Sequence, residues 1–322
     1  MTVASSSPLV SLDPATYVPH TLHQGDRTYL ETNCYADVLI EVLHARGDEP
    51  LAAMGHTLRL DFEGDQFSFF KPPPGDLERL FGVDVHEMQP YRPLPGQIAA
   101  LLERDRTMIV EVDAWYLPDT AATSYRREHV KTSIAPAAID PAAERLTYFH
   151  NAGLYALEGE DFRGVFRQGM DLPGDVLPPY VDLVRFDAGP RLTGEPLRAE
   201  ALALLRYHLA RRPATNPFTR FAEQLAEELP SLLEGDVEGY HAYAFATVRM
   251  SGSAFEIAAT HVEWLLGDAG TPAAEALRRI VDGSKVLSFK LARRRAFDPR
   301  PAVEGLAAAW DEAMGALDDA LA

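Results

Sequence analysis

The chain holds one cysteine, Cys34, and its surroundings suit chemistry. Tyr35, Val38, Leu39, Val42 and Leu43 fall on one helical face, and Gly47 closes the run as a C-terminal cap. This spacing predicts a helix with Asn33 as N-cap and Cys34 in its first turn. The N–H groups and the positive dipole end at that place favour a thiolate, which is the nucleophilic form of cysteine. A lone cysteine cannot close an intramolecular disulfide or build a multi-cysteine metal site. The thiol is therefore core, chance surface or chemistry, and as core it would act as a small hydrophobe.

A thiolate nucleophile needs a base within hydrogen-bond reach and a group that orients the base. Of the ten histidines, His129 opens a predicted strand after the polar loop 118–127, where it can project from a sheet edge into a cleft. The following strand carries His150 and Asn151, which alternate to opposite faces, so one of them can complete a triad. Asn151 is preferred, because an amide fixes the imidazole tautomer without adding a second titrating group; His150 is the alternative. The plainer readings are a hydrogen-bonded strand histidine and an asparagine placed before Ala152-Gly153 because it forms a turn.

The elements that must position these residues alternate between strand and helix. Residues 56–62 and 66–70 read as a hairpin about Glu63-Gly64-Asp65, followed by a helix at 76–81, a strand at 83–88, a helix at 96–104 and a buried strand from 108. Strands at 129–134 and 146–157 follow, joined across Asp140-Pro141, and another covers 180–186. Gly189-Pro190 marks a boundary, beyond which Ala, Leu, Glu and Arg recur at helical spacing. Helices are expected at 195–211, 217–228, 239–266, 272–294 and 301–321, with Pro213, Pro230, Gly267 and Pro299 as punctuation. The division is a loosely ordered lead-in over 1–20, an α/β domain over 21–190 and an all-α domain over 191–322, so the fold class is α+β followed by a helical domain.

Composition bounds the partners. With 322 residues and 47% of them hydrophobic, the chain can bury a full core. A net charge of -18 argues against general affinity for nucleic acid or anionic lipid. Neither a secretory leader nor an apolar run of spanning length is apparent, so a cytoplasmic protein is expected. His241, His261 and Glu263 do not pair at metal-ligand spacing, and no glycine-rich phosphate loop or Gly-x-Ser-x-Gly elbow occurs, so neither a metal nor a bound cofactor is expected.

Asn33-Cys34-Tyr35 with its amphipathic helix, then Val110-Glu111-Val112-Asp113-Ala114-Trp115-Tyr116-Leu117-Pro118, then His129 and two strands, resembles the BtrH-like family of butirosin biosynthesis proteins. It is also similar to an uncharacterised bacterial family with the same domain order. The resemblance implies a papain-like cysteine fold that accepts an acyl or aminoacyl group from a carrier-protein thioester and passes it to a small-molecule amine. Its acyl donor would be the phosphopantetheine thioester of the carrier. In that reading Cys34 carries the acyl group, His129 is the base and Asn151 orients it, while Asp113 and Tyr116 match an Asp-x-x-Tyr stretch near the site floor. Relatives tend to offer Asp where this chain has His150-Asn151. The backbone N–H of Cys34, with the Asn33 side chain, is the expected oxyanion donor. A cysteine peptidase or amide hydrolase with the same triad and a non-catalytic carrier-binding protein are the alternatives. Lys285, Lys290, Arg293, Arg294 and Arg295 read either as a solvated helix C-terminus or as a docking patch for an acidic carrier.

Overall fold

The computed structural model describes residues 8–25, 27–171 and 176–322. They fall into two compact units. One comprises the chain up to Gln24, Cys34–Pro50 and Pro73–Leu192; the other comprises Gly25–Asn33, Leu51–Pro72 and Thr193–Ala322.

The first unit is mixed α and β. Helix α1 (Cys34–Ala45) begins at the cysteine, as the apolar spacing predicts. A two-stranded hairpin, β1 (Phe62–Glu63) and β2 (Gln66–Phe67), belongs to the second unit. The first unit resumes with α2 (Pro74–Phe81), β3 (Asp84–Glu87), α3 (Leu94–Leu102) and β4 (Arg106–Asp113). It ends with β5 (Lys131–Asp140), β6 (Arg145–His150), β7 (Gly153–Glu158), α4 (Glu160–Val165) and β8 (Val181–Arg185). The sheet order is β3-β8-β4-β5-β6-β7 and every pairing is antiparallel.

Alternation along β4 assigns the two faces of this sheet. Met108, Val110 and Val112 join Ile98 and Leu102 of α3, Ile134 of β5 and Tyr148 of β6 in one apolar cluster. Ile109, Glu111 and Asp113 therefore point to the other face, where α1 lies against β5 and β6. Tyr35, next to the cysteine, donates its hydroxyl to Asp182 at 2.8 Å, and Asp182 stands opposite Ile109 in the register. The first turn of α1 is thereby fastened to the face that also carries Asp113.

Three expectations are corrected in and beside this unit. Residues 8–20 are not a loose lead-in: Leu9 is buried in a 3-10 helix, Tyr17 donates to the Glu41 carboxylate, and the His20 N–H bonds to the same group. Residues 1–7 of that segment lie outside the described residues. The strand expected over 56–62 is mostly a 3-10 helix, Pro50–Arg59, so the Glu63-Gly64-Asp65 turn joins two very short strands. The single strand expected over 146–157 is a tight hairpin, because Asn151 adopts a left-handed φ of 45° and turns the chain between β6 and β7.

The second unit is built mainly of α5 (Gly194–Leu209), α6 (Pro217–Glu234), α7 (Val237–Ala244), α8 (Met250–Leu266), α9 (Thr271–Ala292) and α10 (Arg300–Leu321). The helix expected over 239–266 is interrupted by a π-turn at Phe245–Arg249, and Pro230, expected to end a helix, lies inside α6. Phe62 and Phe67 of the hairpin pack on Phe221, with ring centroids 5.5 Å away in each case. The Cβ position of Gly252 faces the Tyr29 ring at 2.2 Å, so only glycine admits that close approach. Among the described residues no helix is long and apolar enough to cross a membrane.

Candidate active site

In the first unit, β4 and β5 diverge just beyond the Asp113↔Lys131 pair. Asp113 ends its strand and caps the 3-10 turn Ala114–Tyr116, its Oδ1 accepting from the Trp115 N–H at 3.0 Å. Its other oxygen, Oδ2, lies 2.6 Å from Nδ1 of His129. One carboxylate therefore fixes both the turn and the imidazole. The Trp115 ring stacks on His129 with centroids 4.5 Å apart and planes 11° from parallel, which sets the plane of the histidine.

A carboxylate accepts, so Nδ1 carries the proton of a neutral His129 and Nε2 presents its lone pair. Nε2 has no hydrogen-bond partner among the described residues, and the side chain is 67% exposed. A nitrogen held in this tautomer and open to a ligand is equipped to take a proton.

His129 and Asp113 line a pocket of about 830 Å³ together with Glu87, Glu111, Lys131 and Tyr180. Its apolar lining includes Met88, Val112, Val130 and Leu177. Lys131 bonds to Glu111 at 2.7 Å along the β4–β5 register, and Arg167 donates to the Leu177 carbonyl at 2.8 Å, tying down one wall. Tyr180 donates to Asp182 at 2.9 Å; burial first, and then that bond, push its phenol up to about 12. Asp182 thus accepts from Tyr180 in the pocket wall and from Tyr35 in the first turn of α1. Burial, reinforced by Asp182, also raises the Tyr35 phenol. This link ties the start of the cysteine helix to the pocket wall.

The other residues singled out in the sequence take different places. Cys34 is partly exposed at the head of α1, its sulfur makes no hydrogen bond to His129, and it is not among the residues lining the pocket. Asn33 spends a side-chain N–H on the Phe70 carbonyl at 2.6 Å. Asn151 sits in the β6–β7 turn and makes no hydrogen bond to His129; the group that holds the imidazole is Asp113. His150 is on the opposite face, 1% exposed, with Nδ1 2.5 Å from Asp119 and Nε2 2.8 Å from the Thr132 hydroxyl. Both its nitrogens are engaged in a network that Tyr148 completes through Asp119. Tyr116 packs away from the pocket, where its ring leaves no room for a Cβ at Gly164, the nearest ring atom lying 2.0 Å from that position.

In the second unit the basic cluster divides. Arg294 donates to the carbonyls of Leu233 and Gly235 and so completes the end of α6, whereas Lys285, Lys290, Arg293 and Arg295 are exposed.

Sequence reasoning did not see the Asp119–His150 network or the Tyr35–Asp182–Tyr180 link. Both depend on a turn or helix folding onto the sheet, Asp119 from the 3-10 turn Pro118–Thr120 and Tyr35 from α1, which residue spacing does not reveal. The signal for Asp113 was present, an aspartate ending an apolar strand just before a turn.

Residues 18–186 match the DUF1839 N-terminal domain and residues 194–319 the DUF1839 C-terminal domain. The chain belongs to the DUF1839 family. Both DUF1839 domains occur in chain order, and the junction between them falls at 187–193, just before α5. No curated protein matches the chain.

Proposed function

We propose that this DUF1839 protein is a cysteine acyltransferase whose α/β unit works in the manner of papain-like and BtrH-like enzymes. The observation that carries the reading is the Asp113–His129 pair, open at a pocket on the sheet face to which the first turn of α1, with Cys34, is fastened. Cys34 is the nucleophile, His129 the base and Asp113 the orienting group, in the place the sequence pattern offered to Asn151.

In the reaction, Nε2 of His129 takes the thiol proton and the Cys34 thiolate attacks a thioester carbonyl. The tetrahedral intermediate collapses, the donor thiolate leaves, and it recovers the proton from the imidazolium. An amine then attacks the acyl-enzyme, His129 accepts its proton, and the Cys34 sulfur is expelled and reprotonated. The backbone N–H of Cys34 at the helix start is the oxyanion donor. The donor is a carrier-borne phosphopantetheine thioester, and the mixed charged and apolar pocket holds the acyl group or its amine acceptor.

Intact-protein mass spectrometry after incubation with acyl and aminoacyl thioesters tests this. The expected result is an adduct on the native protein, none on Cys34→Ala, and faster discharge by amines than by water. An adduct that only water discharges would convert the reading to a hydrolase. A second reading, a pocket that binds without covalent chemistry, is favoured by the absence of Cys34 from the pocket lining. It would be established by thioester-analogue binding that Cys34→Ala leaves intact, with no adduct on either protein.

A further inference from the structure

We propose that this chain pairs with a second copy of itself through the helical unit, the apolar ridge of α9 in each copy seated in the groove between α6 and α10 of the other.

The ridge is unusual for a helix surface. Val286 and Phe289, one turn apart on α9, are 54% and 66% exposed. Lys285, Lys290 and Arg293 flank them, and the Arg293 guanidinium lies 5.3 Å from the Phe289 ring centroid. None of these three cations has an ion-pair partner among the described residues. A solvated helix end would account for the charges, since last turns favour basic residues. It does not account for a phenylalanine and a valine in solvent beside them.

The groove is the complement. It encloses about 640 Å³ over a floor of Phe218, Ala222, Val303 and Ala307, where the two alanines leave room for an aromatic ring. Its rim carries Glu223, Glu227 and Glu304, all exposed and without ion pairs among the described residues; Arg300, also at the rim, turns to Asp298 at 3.1 Å. Glu223 and Glu227 are one turn apart on α6 and repel each other, so incoming cations relieve a standing cost.

In a chain of net charge -18, two copies repel unless a basic patch meets an acidic one, and these two patches provide that meeting. The helix that carries the ridge, α9, packs on α10, which forms one wall of the groove. The backbone of α9 at Gly283 packs against Leu306 of α10, with 2.5 Å from the Gly283 Cβ position to the Leu306 side chain. A two-fold axis that seats one ridge in the partner's groove seats the other ridge as well, so the assembly closes as a dimer. An acidic carrier protein would use the ridge and leave the groove without an occupant, so the structure favours the second copy.

Sedimentation velocity of the full chain, across about 1 to 50 µM and at low and high salt, tests the proposal. The native protein is expected to form a concentration-dependent dimer that salt weakens. Phe289→Asp is expected to leave a monomer with an unchanged melting temperature. Lys290→Glu with Arg293→Glu, and separately Glu223→Lys with Glu227→Lys, should each weaken self-association at least tenfold, while an equimolar mixture of the two variants restores dimers, because every contact is then complementary. A monomer at all concentrations would overturn the proposal, as would a dimer indifferent to Phe289→Asp. So would ridge variants that lose binding to an acidic carrier protein yet keep native self-association.

Discussion

Two histidine–aspartate pairs stand on opposite faces of the same sheet, and their surroundings give them different work. His150 is enclosed, with Asp119 on one nitrogen, Thr132 on the other, and Tyr148 sharing the carboxylate. His129 has Asp113 on one nitrogen, an indole on its face, and the second nitrogen open to a pocket. The first pair is saturated and holds the sheet together; the second is half-satisfied and available for chemistry. The difference lies in the number of engaged nitrogens and the exposure, not in the residue types.

Breaking each pair should separate the roles. Asp119→Ala leaves a buried imidazole and a buried phenol without their acceptor and is expected to cost about 3 kcal/mol, read by urea denaturation. Asp113→Ala, at a largely exposed pair, is expected to change stability by no more than about 1 kcal/mol, while lowering the proposed acyl transfer by about 10²-fold or more if His129 is the base. Comparable destabilisation by both substitutions would erase the distinction.

A second contrast is between Tyr116 and Asn151, both drawn toward the site by the sequence pattern. Gly164→Ala pushes a methyl into the Tyr116 ring and should cost about 1–3 kcal/mol by thermal melting with acyl transfer retained, since Tyr116 serves the core beneath α4. Asn151→Gly suits the left-handed turn and should leave stability within about 0.5 kcal/mol and transfer unchanged. A large loss of transfer in Asn151→Gly would return that residue to the triad.

One buried histidine in each unit, His23 in the first and His261 in the second, is shifted in the opposite sense to the other. His23 is enclosed between Asp37 and Glu41; burial alone would lower its pKa, but the two carboxylate bonds outweigh it and raise it to about 9. The stability it contributes is fully present below its unfolded value of about 6.5 and is lost as pH rises through about 9. His261 is driven down to about 4 by burial, partly offset by its bond to the Leu51 carbonyl at 2.7 Å. Its contribution is fully present above about 6.5 and is lost as pH falls through about 4. Thermal melts across this range should show the highest melting temperature near the middle. His23→Gln should flatten the alkaline limb relative to the acid limb.

What the sequence made legible follows from the range of the signals. The helices starting near 195, 217, 272 and 301, the hairpin turn at Gly64 and the start of α1 at Cys34 are written in local periodicity and caps, and the structure starts them within a few residues, whereas the end of α6 and the break at Phe245–Arg249 are not so written. Asn151 shows the limit: its turn and its triad reading share one residue type, and only the φ of 45° distinguishes the turn. His129 was found because it follows a long loop. Its partner is less legible, because Asp113 comes from a strand earlier in sequence that register, not spacing, brings alongside. The segments 25–33 and 51–72 group with the helical unit although they lie within the first half of the chain, a long-range arrangement that no local pattern carries.

Whether His129, held by Asp113, activates Cys34 is read from the rate of Cys34 alkylation with iodoacetamide near neutral pH. If it does, the native protein reacts at least ten times faster than His129→Ala and Asp113→Asn, with all three equally folded. Equal rates in the three proteins would contradict it.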